Sequence, residues 1–244
     1  MLRVFRAEVM KWRRNWFPWV VLASALAAPF LVFLMGALRS DRPTAASLMQ
    51  NILTFHFLLT GPLVVTLIGA QFIAAEYQWD TWKLLLTAPV PRWSVYAAKW
   101  VLGVVWIMAL SLLVALAGFS AAYLVHATGA LAYGLWLKAF LYGSVGLTAA
   151  LSVYHLITLI SRNFFVTSAV GIVAAFAGLL ASQSKYIGVY PITGNLLIVQ
   201  SLLGRVDDLG GVIGTPEVWA GVLIATALFG LVGSLAYVQK ASYR

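Results

Sequence analysis

The 244-residue chain has no cysteine. That removes disulfides, thiolate metal ligands and a cysteine nucleophile, and leaves the redox compartment open. Charge is scarce as well: Asp, Glu, Lys and Arg make up 9% of residues, 7 acidic against 16 basic. No Gly-x-x-x-x-Gly-Lys run occurs, so the chain has no phosphate loop for nucleotide hydrolysis, and any ATP must be handled by another polypeptide. His-Glu-x-x-His and Gly-x-Ser-x-Gly are also absent, which removes the motifs of a membrane zinc protease and of a hydrolase with a nucleophile elbow. Intramembrane serine proteolysis stays open, because serine and histidine both occur within apolar stretches. There is no internal repeat, low-complexity tract or linker.

What is present is apolar. Hydrophobic residues make up 62% of the chain, including ten tryptophans, and the mean hydropathy is +0.93, far beyond a soluble domain. At 1.5 Å per residue a helix needs about 20 apolar residues to cross a bilayer, so the length accommodates six spans and little else. The expected fold is therefore all-α and polytopic, one membrane domain over 1–244. Its spans are predicted over about 16–38, 52–75, 95–125, 135–160, 164–181 and 216–238. Pro29 should kink the first and Gly61-Pro62 interrupt the second, while Pro216 suits a first helical turn. Residues 182–215 read as an extracytoplasmic segment. Leu196 to Leu203 within it is apolar enough to dip into the membrane, and the pattern does not distinguish a loop from short helices.

Residues 1–15 read as an interfacial amphipathic helix. Leu2, Phe5, Val9, Trp12 and Trp16 recur at spacings of three and four, with Arg3, Arg6, Lys11, Arg13 and Arg14 around the rest. A basic start before an apolar run also describes a signal peptide, but the run to Leu38 is too long, so it is read as a retained first span. Six spans put both termini on one side. That side holds Arg3, Arg6, Lys11, Arg13, Arg14, Lys83, Arg92, Lys99, Arg162, Lys240 and Arg244, against Arg39, Arg42, Lys138, Lys185 and Arg205 on the other. The 11 to 5 split predicts cytoplasmic termini in the inner, cytoplasmic membrane. The net charge of +9 then reflects topology and anionic lipid, with no nucleic acid partner.

Charge concentrates between spans two and three, where Glu76, Asp80, Lys83, Arg92 and Lys99 fall close together. Residues 76–96 read as a cytoplasmic loop in which Asp80 or Thr81 caps a short helix. Trp79, Trp82 and Leu86 share one face of it, and Pro89 and Pro91 end it. Such a helix is what a partner in the water needs in order to push a membrane domain; an interfacial loop with tryptophan anchors fits the same pattern. Span four carries a polar stripe of Ser144, Thr148, Ser152, His155 and Thr158, ending at Arg162, within a sector of roughly 120°. It lines either a transport path or dimer surface, or it glues helices with hydroxyls bonded to their own backbone. His56, His126 and His155 raise a haem-binding electron carrier as an alternative. His56 and His155 differ in depth by roughly 15–20 Å, too far for one haem, whereas His56 and His126 share a level.

The central stretch resembles the membrane subunits of ABC exporters of the type-2 permease family, especially small six-span permeases associated with self-protection against lantibiotics and other peptide antibiotics. The matching features are the basic N-terminal helix, Glu76 closing span two, Thr81-x-x-Leu84-Leu85, Pro89-Val90-x-Arg92, and Lys99 opening span three. Family members often carry glycine where this chain has Asp80. The resemblance implies a dimeric membrane domain on two ATP-binding subunits, which the N-terminal helix and the loop contact. ATP and Mg would then sit on the partner, with no cofactor in this chain and with a second permease subunit completing a homo- or heterodimer. On that reading Glu76, Asp80, Thr81, Lys83, Pro89, Arg92 and Lys99 couple to the ATPase, and the cargo is an amphipathic peptide or lipid-like compound. A membrane assembly protein without transport is the remaining alternative.

Overall fold

The structure, a computed structural model, describes residues 2–12, 16–39, 41–81, 91–185, 190–191, 193–204 and 214–240, the side chains of 2–4 and 12 excepted. Helices α1 (Leu2–Trp12) and α2 (Phe17–Ala37) are followed by α3 (Ala45–Phe55), which runs through a π-helical turn (His56–Thr60) into α4 (Gly61–Gln78). Then come α5 (Arg92–Leu124), α6 (Tyr133–Ser161), α7 (Phe164–Ala181), α8 (Gly194–Leu202) and α9 (Pro216–Lys240). Among the described residues six helices are long and apolar enough to cross a membrane: α2, the continuous α3–α4 rod, α5, α6, α7 and α9. The architecture is all-α and polytopic, as expected.

Two boundaries differ from expectation. The second span begins at Ala45 and runs unbroken to Gln78, because Thr44 caps it, its hydroxyl accepting from Ser47 N at 3.2 Å. Pro62 does not interrupt it. Proline removes one backbone donor from the ladder, and the helix widens just ahead of it, so that Gly61 N–H reaches His56 O. The third span starts at Arg92, which places Lys99 seven residues inside the helix, about 10 Å along it.

α6 is the central element, packed against α4, α5, α7, α8 and α9. Its closest neighbour is α9: a Cβ on Gly230 would lie 2.4 Å from the carbonyl carbon of Ser152, so backbone meets backbone there. Phe57, Phe140, Leu147 and Leu151 fill the interior, while Trp19, Phe30, Phe165, Val173 and Phe229 face outward, as a lipid-facing surface requires. α6 and α7 join in a tight turn. Arg162 takes a left-handed conformation (φ 54°), and the Asn163 side chain then caps α7, accepting from Phe165 N at 2.8 Å.

Residues 194–202, left open between loop and helix, are helical and packed on α6 and α9. Gly146 of α6 touches Asn195, about 22 Å above the α6–α7 turn at the usual helical rise. α8 therefore enters the depth of the spans. At that same end, Thr128 links the two loops by donating its N–H to Pro43 O (2.9 Å) and accepting from Ala45 N (2.8 Å).

Candidate functional site

The opposite end gathers the charges. Glu8 and Lys11, three apart on α1, meet Glu76 from the last turn of α4 and Lys99 from α5. Lys99 Nζ donates to Glu8 Oε2 at 2.8 Å and to Glu76 Oε1 at 2.6 Å; Lys11 Nζ donates to Glu8 Oε1 at 2.9 Å and to Glu76 Oε1 at 2.5 Å. Four alternating charges close into a ring. Glu8, Glu76 and Lys99 are 2%, 0% and 1% exposed, so the ring survives because it is neutral and each charge has two opposite partners. A lone charge so buried would cost several kcal/mol, roughly. Burial alone would push the Lys11 ammonium toward losing its proton, yet its hydrogen bond to Glu76 and the charges of Glu8 and Glu76 outweigh this and hold it above the usual lysine value of 10.5.

The end of α4 is shaped for this ring. Thr81 N bonds Glu76 O at 3.0 Å and Asp80 N bonds Tyr77 O at 3.3 Å, with Asp80 left-handed at φ 50°. This is a Schellman closure, and it turns the Thr81 hydroxyl back to donate to Glu76 Oε2. Asp80 thus closes α4, in the left-handed position at which the resembling family often carries glycine; the short helix that Asp80 or Thr81 was expected to cap lies outside the described residues. Glu76, expected to close span two, and Lys99, expected to open span three, were read as lying where the chain meets water; both lie inside helices and are buried. The apolar residues around them dictate this, since an ion pair stitched across three helices needs less water than two solitary charges.

Further contacts tie the same face together. Arg92 Nη1 donates to Gln239 O of α9 at 3.4 Å, Tyr77 Oη donates to Leu159 O of α6 at 3.4 Å, and the Arg162 guanidinium lies 5.8 Å from the Tyr77 ring centre. The space beside the ring is about 10 Å³, too small for an organic ligand. It is a mechanical joint that fixes α1 against both helices flanking residues 79–91.

The expected coupling residues and the basic residues of the N-terminal interfacial helix therefore divide. Lys11, Glu76, Thr81 and Lys99 come together, Arg92 anchors α5 to α9 on the same face, and Arg6 is exposed on α1. Lys83, Pro89, Arg13, Arg14 and the Arg3 side chain, with the short helix expected over 80–89, lie outside the described residues. Glu8 was missed. Its signal was available: it is the single acid among the basic residues of the first helix, three positions before Lys11.

The stripe on α6 is packed inside the chain. Ser144, Ser152, His155 and Thr158 are fully buried, Thr148 is half-buried and Arg162 is exposed. The Ser144, Thr148, Ser152 and Thr158 hydroxyls donate to carbonyls of their own helix at 2.6–3.2 Å. Ser152 also accepts from Trp100 Nε1 at 2.9 Å, and Thr158 meets Thr167 at 2.9 Å. This is the pattern of helix glue. His56 Nδ1 and Nε2 lie 3.2 and 3.4 Å from the hydroxyls of Thr60 and Ser111, and His126 is exposed in the loop after α5, an arrangement unlike a haem ligand pair. Among the described residues no three of His, Asp or Glu group to hold a metal.

A family model described as ABC-2 family transporter protein matches residues 4–178, from α1 nearly to the end of α7. A comparison with curated proteins found no match. With that match over well more than half of its length, and with six apolar spans behind a docked N-terminal helix, the chain belongs to the ABC-2 transporter permease family and is a membrane permease of an ABC transporter.

Proposed function

We propose that the chain is the permease subunit of an ATP-driven exporter whose ATPase is a pair of separate subunits, with ATP and Mg held there. The charge ring carries this reading. An ATPase that closes on nucleotide moves a membrane domain only through rigid elements, and the ring binds α1, α4 and α5 into one body at the face where the basic residues collect. Residues 79–91 leave and re-enter that body at both ends, so a push on them is delivered to two spans at once. Two permease chains, identical or not, complete the domain in the cytoplasmic membrane with termini inside. The cargo is an amphipathic peptide or lipid-like compound, and self-protection is the role that follows.

Affinity purification from membranes should bring down an ATP-binding subunit. Arg92→Glu, which breaks the exposed tie between α5 and α9, should leave a folded protein whose ATP hydrolysis no longer drives export. A chain that purifies without any ATPase, or Arg92→Glu with normal coupling, would defeat the proposal. Orientation is read separately: in this cysteine-free chain, Gln239→Cys should resist an impermeant thiol reagent added to intact cells, and Gly129→Cys should react.

A further inference from the structure

At the end of the molecule away from the charge ring, α6, α8 and α9 enclose a cavity of about 290 Å³, at the lower edge of the roughly 300–1,000 Å³ of ligand sites. It opens sideways toward lipid, for Tyr142, Val145 and Ile224 among its lining residues are each more than half exposed. Among the described residues its walls are apolar apart from Asn195, Thr148 and the Tyr142 hydroxyl, and none of the described residues lining it is charged. Thr148 spends its proton on Val145 O at 2.6 Å.

Asn195 is different. It is 2% exposed, its Oδ1 accepts from Leu196 N at 2.9 Å, and its Nδ2 is buried with no hydrogen-bond partner. Burying an amide donor unpaired costs about 1–3 kcal/mol, and simple packing gives no reason to place one there in an apolar wall. The seat is tight: a Cβ on Gly146 would fall 2.3 Å from Asn195 Cβ, so the absent side chain at 146 is what admits the amide.

The complement of this wall is an apolar chain bearing one uncharged acceptor. Lys138, exposed, shares a face of α6 with Tyr142, Val145 and Ala149, and precedes Gly146 by about 12 Å of helix. A lysine stem and a glycerol backbone bridge that interval. Cation, buried donor and apolar floor follow one another in the order phosphate, ester carbonyl and acyl chain. We propose that this cavity is a phospholipid site, in which Asn195 Nδ2 donates to an acyl-ester carbonyl, Lys138 meets the phosphate and the chain lies between α6 and α9. The site stands independently of the exporter reading.

Native mass spectrometry of the purified full chain, offered ester-linked phosphatidylglycerol or its ether-linked analogue of equal chain length, tests this. The ether lipid has no carbonyl, so the ester lipid should bind roughly three- to tenfold better, the worth of one hydrogen bond. Asn195→Ala should erase that preference, and Ala227→Trp, which plugs the cavity from a half-buried position, should abolish binding of both. Equal binding of the two lipids by the unsubstituted chain, or adducts undiminished in Ala227→Trp, overturns the site even if Asn195→Ala fails to fold. Photoreactive benzoylphenylalanine in place of Ile224 identifies the occupant in membranes: a phospholipid adduct supports the site, and cross-linking to a second copy of the chain or to a peptide refutes it.

Discussion

Replacing Lys99 by methionine should release α1. The Lys99 ammonium holds Glu8 and Glu76 at 2.8 and 2.6 Å, and without it two buried carboxylates share the single charge of Lys11, leaving the joint with one uncompensated negative charge. Breaking a buried pair in this way costs about 3–5 kcal/mol, which is roughly two to four orders of magnitude in the equilibrium for undocking α1. Hydrogen exchange across Leu2–Trp12 reads that equilibrium directly. The ring makes a sharper prediction than a list of pairs. Adding Glu8→Gln to Lys99→Met restores neutrality, with Lys11 still 2.5 Å from Glu76, so the double variant should be more protected than Lys99→Met alone by about 2 kcal/mol, well inside the range of coupling energies for groups in one network. The reasoning fails if Lys99→Met changes exchange by less than about tenfold, or if the two substitutions add within about 0.5 kcal/mol.

Three other outcomes follow from local geometry. Gly230→Val should lower the melting temperature sharply, by overpacking worth about 1–3 kcal/mol or more, since its Cβ would meet Ser152 backbone; Gly221→Ala on the same helix has open space, and equal losses at both would refute the close α6–α9 contact. At the left-handed Asp80, Asp80→Gly should be tolerated while Asp80→Val costs about 1–2 kcal/mol, and the reverse order of melting temperatures would contradict the Schellman closure. The proton on Lys11 is held more firmly in the folded chain than free, so its contribution to docking is complete below about pH 10 and is lost only as pH rises through the raised value. Proteolysis of α1 that sets in at a midpoint below pH 10.5 would show that Lys11 gains nothing from the ring.

The joint across α1, α4 and α5 was only half legible beforehand. Lys11, Glu76 and Lys99 stood out because charge is rare in this chain, yet their rarity suggested water, whereas Glu76 and Lys99 are buried and Lys11 is half-buried. Neutrality depends on Glu8, 68 positions from Glu76 in the chain, and only packing brings the two together. Asp80 shows the same limit at short range: nothing in its side chain announces a left-handed helix end, and the hydrogen bonds of Thr81 and Asp80 back to Glu76 and Tyr77 place it there.

Six apolar runs, a basic leading helix and an excess of lysine and arginine on one set of loops are one-dimensional properties. A bilayer reads them in one dimension, as length, hydropathy and charge, so the spans, the membrane class and the family resemblance were settled by the sequence itself. Which face of each span meets protein, how His56 to Thr60 widens ahead of Pro62, and that residues 194–202 fold into a helix among the spans were decided by tertiary structure. The reason is that most spans here are apolar nearly all round: α2, α4 and α9 offer lipid and protein almost the same chemistry on every side. Steric fit therefore chooses the buried face, as where Gly230 lets α9 touch the backbone of α6 and Gly146 admits Asn195.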